Sequence, residues 1–209
     1  MKHSLGLTGS TFALLMGQIM SVSAQESSLA LEEVIVTATK REQNLQDVSV
    51  AVTALSEDIL REAQIVSSED LTQLVPSLNL QKGSNVRQTS FNIRGIGTQS
   101  FSTAVEPSVS TMLDGVVMGR SGQAFLRLLD IERVEVLRGP QGTLFGKNST
   151  GGVVHLITKD PSEEFSGELM GSVVSGDEYR AGATVSGPLT DTLGFRLTAS
   201  GSDVDGYTK

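Results

Sequence analysis

The 209-residue sequence has no cysteine and no tryptophan, only two histidines, and an aromatic content of 4%. Without cysteine, neither a disulfide framework nor a thiolate metal site can form. Few aromatics alongside 22 glycines describe a loop-rich, modestly packed chain rather than one dense core. Cationic excess is missing too, with 16 Lys+Arg against 24 Asp+Glu and a net charge of −8. A nucleic-acid partner needs a basic surface against its phosphates, so none is expected. Nor does any run approach the ~18 apolar residues of a membrane-spanning helix. An integral membrane role would have to be carried by strands closing into a β-barrel.

The shortage of histidine bears on enzyme chemistry. His3 lies in the N-terminal leader, leaving His155 as the only imidazole of the remaining chain. It shares a strand face with Val153 and Ile157, the setting of a partly buried, hydrogen-bonded sheet histidine rather than of a catalytic base or metal ligand. No Ser/His/Asp order and no cluster of metal ligands accompanies it, so no catalytic residue, metal site or cofactor is assigned and the chain reads as a non-enzyme. Two glycine motifs also fall short. A phosphate loop ending at Gly146-Lys147 would need glycine at 141 and Ser or Thr at 148, where the chain has Gln141 and Asn148 and then runs into a strand. Gly95-Ile96-Gly97 opens like a dinucleotide fingerprint, but position 100 is Ser and no helix follows.

What is present begins with a leader. Lys2 and His3 precede an interrupted apolar run over residues 12–20, and Val22-Ser23-Ala24 supplies a small-residue site before Gln25; this order predicts a secretory signal peptide over residues 1–24. Residues 25–30 are small and polar, as in a mobile arm. Residues 31–39 are β-prone, with three consecutive branched residues at Val34, Ile35 and Val36. So near a terminus, with no hairpin partner of its own, such a strand offers its backbone groups to another chain's sheet edge. The other reading is a first strand of this chain's own sheet.

The organising stretch is residues 130–159. Two β-branched runs, 131–137 and 153–158, flank a segment rich in glycine, with Pro140 fixing one corner; strand, compact loop, strand is the expected order. In the first run Ile131, Arg133, Glu135 and Leu137 share one face, and Glu132, Val134 and Val136 the other. Charges on a core strand need partners.

The sequence V-E-V-L-R-G-P-Q-G-T-L-F-G followed by G-G-V-V-H-L-I-T-K resembles the plug domain of TonB-dependent outer-membrane receptors. N-I-R-G-I-G at 92–97, L-D-G-V at 113–116 and E-E-V-I-V-T-A at 32–38, which looks like a TonB box, occur in family order. The resemblance covers residues 31–159 well and the tail from 165 to 209 more loosely. It implies a secreted outer-membrane receptor that imports a scarce nutrient, by family habit a ferric siderophore, with cobalamin or a glycan as substitutes. The energy would come from TonB and its inner-membrane complex. By the same resemblance Glu33, Val34, Ile35, Val36, Thr37 and Ala38 form the TonB-binding strand. Apical plug loops of the family touch the ligand, which makes Thr98, Gln99, Phe101 and Arg120 the ligand-binding candidates. Arg94, Glu135 and Arg138 correspond to residues that lock plug to barrel by pairing with barrel glutamates.

The expected fold is an α+β plug domain, a small mixed sheet with short helices, followed by the first antiparallel strands of a transmembrane β-barrel. Strand patterning starts at 48–55. Ser56, Glu57 and Asp58 mark a helix start with Ile59, Leu60 and Ala63 as its apolar stripe. Ser67 or Ser68 caps a second helix, with Leu71, Leu74 and Val75 inward and Pro76 ending it. Further strands are expected at 78–81, 91–94 and 109–113, with a hairpin turn at Asp114-Gly115 and a helical turn over 124–129. Residues 95–106 read as a polar loop. Beyond Asp160-Pro161 come three loosely alternating segments long enough to cross an outer membrane. The expected division is leader 1–24, mobile arm with TonB box 25–45, plug 46–160 and barrel strands 161–209. The family's barrels close with about 22 strands, so three strands suggest a truncated receptor, a fragment or a split product. A soluble periplasmic plug-like module that engages TonB without transporting is the alternative; a β-rich adhesin would show internal repeats, and none is found.

Overall fold

The computed structural model describes residues 34–85, 88–99, 105–124, 127–174 and 178–204; the expected leader, Glu33 and Phe101 lie outside them. The chain opens with two short strands, β1 (Ile35–Val36) and β2 (Gln43–Asn44), then β3 (Val52–Ser56) and helices α1 (Glu57–Glu62) and α2 (Leu71–Leu74). A small antiparallel sheet follows, of β4 (Leu78–Gln81), β5 (Ser90–Ile93) and β6 (Ile96–Gly97). Next come β7 (Val109–Leu113), β8 (Val116–Val117), β9 (Ile131–Arg138), helical turn α3 (Gly142–Phe145) and β10 (Gly152–Thr158). Three long strands end the described chain: β11 (Ser166–Val174), β12 (Glu178–Thr190) and β13 (Leu193–Val204).

The β-branched runs on either side of the glycine-rich loop become the middle of a mixed sheet ordered β3-β9-β10-β7-β8. β9 pairs antiparallel with β10 from Arg138↔Gly152 onward, and β10 runs parallel to β7. Both faces of this sheet are covered, which explains why β10 runs through Val153, Val154, Leu156 and Ile157 with little alternation. On one face Val134, Val136, Val154 and Leu156 pack with Leu60, Leu71, Val75, Leu78, Phe91 and Ile93 from the helices and the small sheet. On the other, Leu137, Val153 and Met112 pack with Phe145 of α3 and with Val36 and Ala38 of the N-terminal segment. Gly152, at φ +148°, sits where a Cβ would meet the Leu137 carbonyl oxygen at 2.4 Å and Ile93 Cδ1 at 2.7 Å. Only glycine lets β10 start that close to β9.

Local chemistry adjusts several expectations. Leu60 of α1 is buried, but Ile59 is 42% exposed and no part of the apolar stripe. The second helix starts later than either serine, with Asp70 as its N-cap residue. The Asp70 carboxylate reaches back to accept from the Ser67 N–H (2.9 Å) and hydroxyl (2.9 Å), closing the preceding turn instead of capping its own helix. Asp114-Gly115 is the expected hairpin turn, with φ of +47° and +80°. A second such turn, Arg94-Gly95 at +53° and +82°, pairs β6 with β5 inside the segment expected to be loop. The helical turn expected over 124–129 forms earlier, as a 3-10 turn at Ser121–Ala124.

The last three strands form a separate antiparallel sheet in the order β11-β12-β13. The pairs Leu169↔Ala183↔Ala199, Val173↔Tyr179 and Val185↔Leu197 place apolar residues on one face. Leu169 is 87% and Leu197 68% exposed. The opposite face carries Arg180, Thr184, Ser186, Arg196 and Thr198, with Thr184 and Ser186 buried. This is a water-soluble sheet turned inside out, apolar outward and polar inward, as lipid requires of a barrel wall.

Candidate functional site

The segment that the sequence leaves open as handle or first strand is held by the plug. β1 has a partner of its own: it pairs with β2, and the Leu45 N–H donates to the Val34 carbonyl at 2.9 Å. The expectation of an unpartnered strand on a mobile arm is therefore corrected for residues 34–45. Alternation decides which side chains turn inward. Ile35 is exposed, Val36 and Ala38 are fully buried against the central sheet, and Val34 and Thr37 are half-buried. The Lys40 ammonium lies 5.6 Å from the centre of the Phe145 ring, a cation over an aromatic face.

One carboxylate fastens this segment. Glu135, in the middle of β9, has no exposed surface. Its Oε1 accepts from the Thr37 N–H at 2.8 Å, the Thr37 hydroxyl at 3.2 Å and Arg133 Nε at 3.0 Å. Arg133 also pairs with Glu132. Arg133 and Glu135 share the face predicted from strand periodicity, and the charge expected to need a partner finds it in a segment 98 residues earlier. Glu135 thus faces the N-terminal segment. Opposite it on β10 is His155, its cross-strand partner, 8% exposed. The Gly115 N–H donates to His155 Nε2 at 3.1 Å, so His155 is the hydrogen-bonded sheet histidine that its strand position predicts. Burial lowers its pKa from the ordinary value, helped by Arg133 and opposed by Glu135 and Asp114. A groove of about 850 Å3 runs beside it, lined among others by Thr37, Lys40, Asp114, Arg133 and His155.

A second polar cluster joins the plug to the last sheet. Asp130, at φ +59°, accepts from Arg196 Nε at 2.6 Å and from the Thr198 hydroxyl at 2.7 Å, and Arg196 also donates a second bond to its other oxygen. Both side chains of the ion pair are about 15% exposed. Burial works to raise the Asp130 carboxyl, but donation from Arg196 and Thr198, with the field of Lys159, outweighs it and holds the pKa below the ordinary value. On the neighbouring strand β12, Glu178 is approached by Arg127 of the plug and also pairs with Arg180.

The residues expected to lock plug to barrel are not brought together. Arg94 is exposed at the β5–β6 turn and makes no ion pair among the described residues. Arg138 turns to its own sheet, with Nε 3.5 Å from the Ala51 carbonyl and Nη2 3.4 Å from that of Val52. Among the described residues the plug meets the strands through ion pairs of both polarities: Asp130 with Arg196 puts the acid on the plug, and Arg127 with Glu178, at 3.7 Å, puts the base there. A pairing across 66 residues leaves no spacing signal in the sequence. Of the ligand candidates, Thr98 is a structural tie: its hydroxyl lies 2.5 Å from that of Ser108 and accepts from the Ser108 N–H at 2.8 Å. Gln99 and Arg120 are exposed, and Phe101 lies outside the described residues.

The family model described as TonB-dependent Receptor Plug Domain matches residues 44–153. The pesticin receptor of Yersinia pestis is 34% identical over 173 residues, covering 82% of this chain and 25% of the relative. An iron-regulated outer membrane virulence protein of Vibrio cholerae is 29% identical, covering 90% of this chain and 30% of the relative. Among solved structures, the ferric yersiniabactin uptake receptor FyuA from Yersinia pestis superposes with a TM-score of 0.63 at 34% identity, over 73% of this chain and 23% of that one. The chain spans about a quarter of the length of the curated relatives it matches.

Proposed function

The chain belongs to the TonB-dependent receptor plug domain family, and we propose that it is the plug and first barrel strands of an outer-membrane receptor for energised import of a ferric siderophore. The observation that carries this reading is the inverted sheet β11-β12-β13. Leu169, Val173 and Leu197 stand exposed outward while Arg196 and Thr198 turn inward onto the plug. Such a face is stable against lipid and not against water, which argues against the soluble plug-like module. The siderophore is inferred from relatives described as receptors for ferric siderophores. Residues 33–38 are the strand offered to periplasmic TonB, which would add it to its own sheet edge. Pulling on that strand remodels the plug, the energy arriving through TonB. The reading assigns no catalytic step to the chain.

The test is radiolabelled iron uptake in a siderophore-receptor-deficient strain carrying the full reading frame, with a panel of ferric siderophores. Uptake of at least one is expected. Val34→Pro, which removes a strand donor and restricts the backbone, is expected to abolish uptake while leaving ligand binding at the cell surface intact. Uptake undiminished in Val34→Pro would remove the handle assignment.

A further inference from the structure

The sheet face beneath the N-terminal segment holds two buried polar atoms that no described residue satisfies, Glu135 Oε2 and His155 Nδ1. Their residues are directly opposed on β9 and β10. Opposed residues on antiparallel strands carry Cβ atoms about 4.5–5.5 Å apart on one face, so carboxylate and imidazole are neighbours. The Gly115 N–H donating to Nε2 needs a lone pair there, which in a neutral imidazole puts the proton on Nδ1. The two unsatisfied atoms are thus an acceptor and a donor. Meanwhile the other oxygen of Glu135 holds Thr37 through its N–H and hydroxyl, with Arg133 on the same oxygen.

This arrangement bears on how Thr37 can leave. Losing both Thr37 donors leaves the buried carboxylate with Arg133 alone, and each donor lost at a buried charge is costly, so a plug that releases its N-terminal segment gains from a replacement donor at that point. His155 Nδ1–H is one, within the same face and already in the right tautomer. We propose that Glu135 is a two-position latch: closed, it holds Thr37; open, it releases Thr37, accepts from His155 Nδ1–H, and frees the 34–38 strand to pair with the open sheet edge of a periplasmic partner. The closed position has two Thr37 donors against one from His155, so it predominates in the resting protein. Arg133 stays with the carboxylate in both positions, and no proton is gained or lost. The other charged groups around the pair are Glu132 on β9, Asp114 at the β7–β8 turn, and Lys40, Arg41, Glu42 and Asp160 along the groove. None of them supplies a donor to Oε2 in this structure. The partner half of this inference rests on the reading of 33–38 as the TonB-engaging strand; the latch half does not.

The experiment uses the full chain and two readouts, hydrogen exchange at the Thr37 amide and affinity for a purified TonB C-terminal domain. Glu135→Ala removes the latch, and Thr37 exchange is expected to speed up about tenfold or more, with tighter TonB binding. His155→Phe fills the site but removes the open-state donor, so exchange is expected to slow about threefold and TonB binding to weaken. His155→Gln, which restores an N–H donor, should return both readouts toward the parent. Opposite signs for the first two variants, with rescue by the third, support the latch. Exchange in His155→Phe that is unchanged or faster overturns it, and decides the matter even if Glu135→Ala fails to fold. A synthetic peptide of residues 33–40 separates the two halves. If it does not bind the TonB domain, the handle reading fails, while the exchange series still judges the latch.

Discussion

Replacing Asp130 by Asn tests whether one ion pair ties the plug to the strands. Asn tolerates the left-handed backbone that Asp130 adopts at φ +59°, so the substitution removes charge without adding backbone strain. Its amide keeps one acceptor oxygen but turns an NH2 toward the Arg196 guanidinium, which is left without its counter-charge in a setting only 15% exposed. Breaking one partner of a buried pair costs about 3–5 kcal/mol. With one hydrogen bond retained, about 2–3 kcal/mol is expected, or roughly 5–10 °C in the unfolding midpoint for a chain of this size. The assay is thermal unfolding in detergent micelles, followed by circular dichroism, for Asp130→Asn, Arg196→Met and the double variant. The two single effects should fail to add by about 2 kcal/mol. The pH dependence supplies an internal check. The carboxyl is held below its ordinary value of 3.8 in the folded chain, so its stabilisation is fully present above that pH and disappears as pH falls through the folded value. The gap between parent and Asp130→Asn should therefore close in acid. Additive single effects, or a gap that does not narrow as the pH falls below 3.8, would refute the anchor.

Two further outcomes follow from the packing. Gly152→Ala forces a Cβ to within 2.4 Å of the Leu137 carbonyl oxygen, so β10 must shift off β9; a loss of about 3 kcal/mol or more, or no folded product, is expected in urea unfolding. Leu197→Arg places a charge on the outward face of β13, where Leu197 is 68% exposed. In a bilayer it should cost about 2–4 kcal/mol near the midplane, read as reduced heat-modifiable protein in the outer-membrane fraction. An equal yield would place that face away from lipid.

What was legible in the sequence was whatever is fixed by neighbours along the chain. β9 and β10 announce themselves through β-branched runs bounded by glycine, and Asp114-Gly115 through the backbone that a two-residue turn demands. The three long strands are visible from weak alternation and spacing. Residues whose roles depend on distant partners were not legible. Asp70 carries the marks of a helix start, but whether its carboxylate faces its own helix or the turn before it depends on the packing of residues 66–67. Periodicity placed Glu135 correctly with Arg133 on one face of β9, yet could not say what covers that face. Family resemblance pointed it toward the barrel, and burial of Val36 and Ala38 on the same side points it to the N-terminal segment. The β1–β2 pairing was hidden for a different reason: two residues per strand are too few to carry a pattern, and tertiary contacts hold them.

The two attachments differ in strength, and the difference orders events under load. A pull on the N-terminal segment, the role proposed for it, meets first the pairs Ile35↔Asn44 and Val36↔Gln43 and the Thr37 bonds to Glu135. Each bond contributes about 1–3 kcal/mol, and a latch that can hand its carboxylate to His155 lowers the cost further. Behind it lies β9, paired on both edges along Val134–Leu137 and preceded by Asp130 with its two-point grip on Arg196. To move β9, many ladder bonds must break together and a buried ion pair must separate. The segment should therefore peel from the sheet while β9 stays fixed to the strands, so that the first consequence of pulling is an uncovered face bearing Met112, Leu137 and Val153. Those apolar residues, buried in the resting protein, would then be the weakest side of the plug.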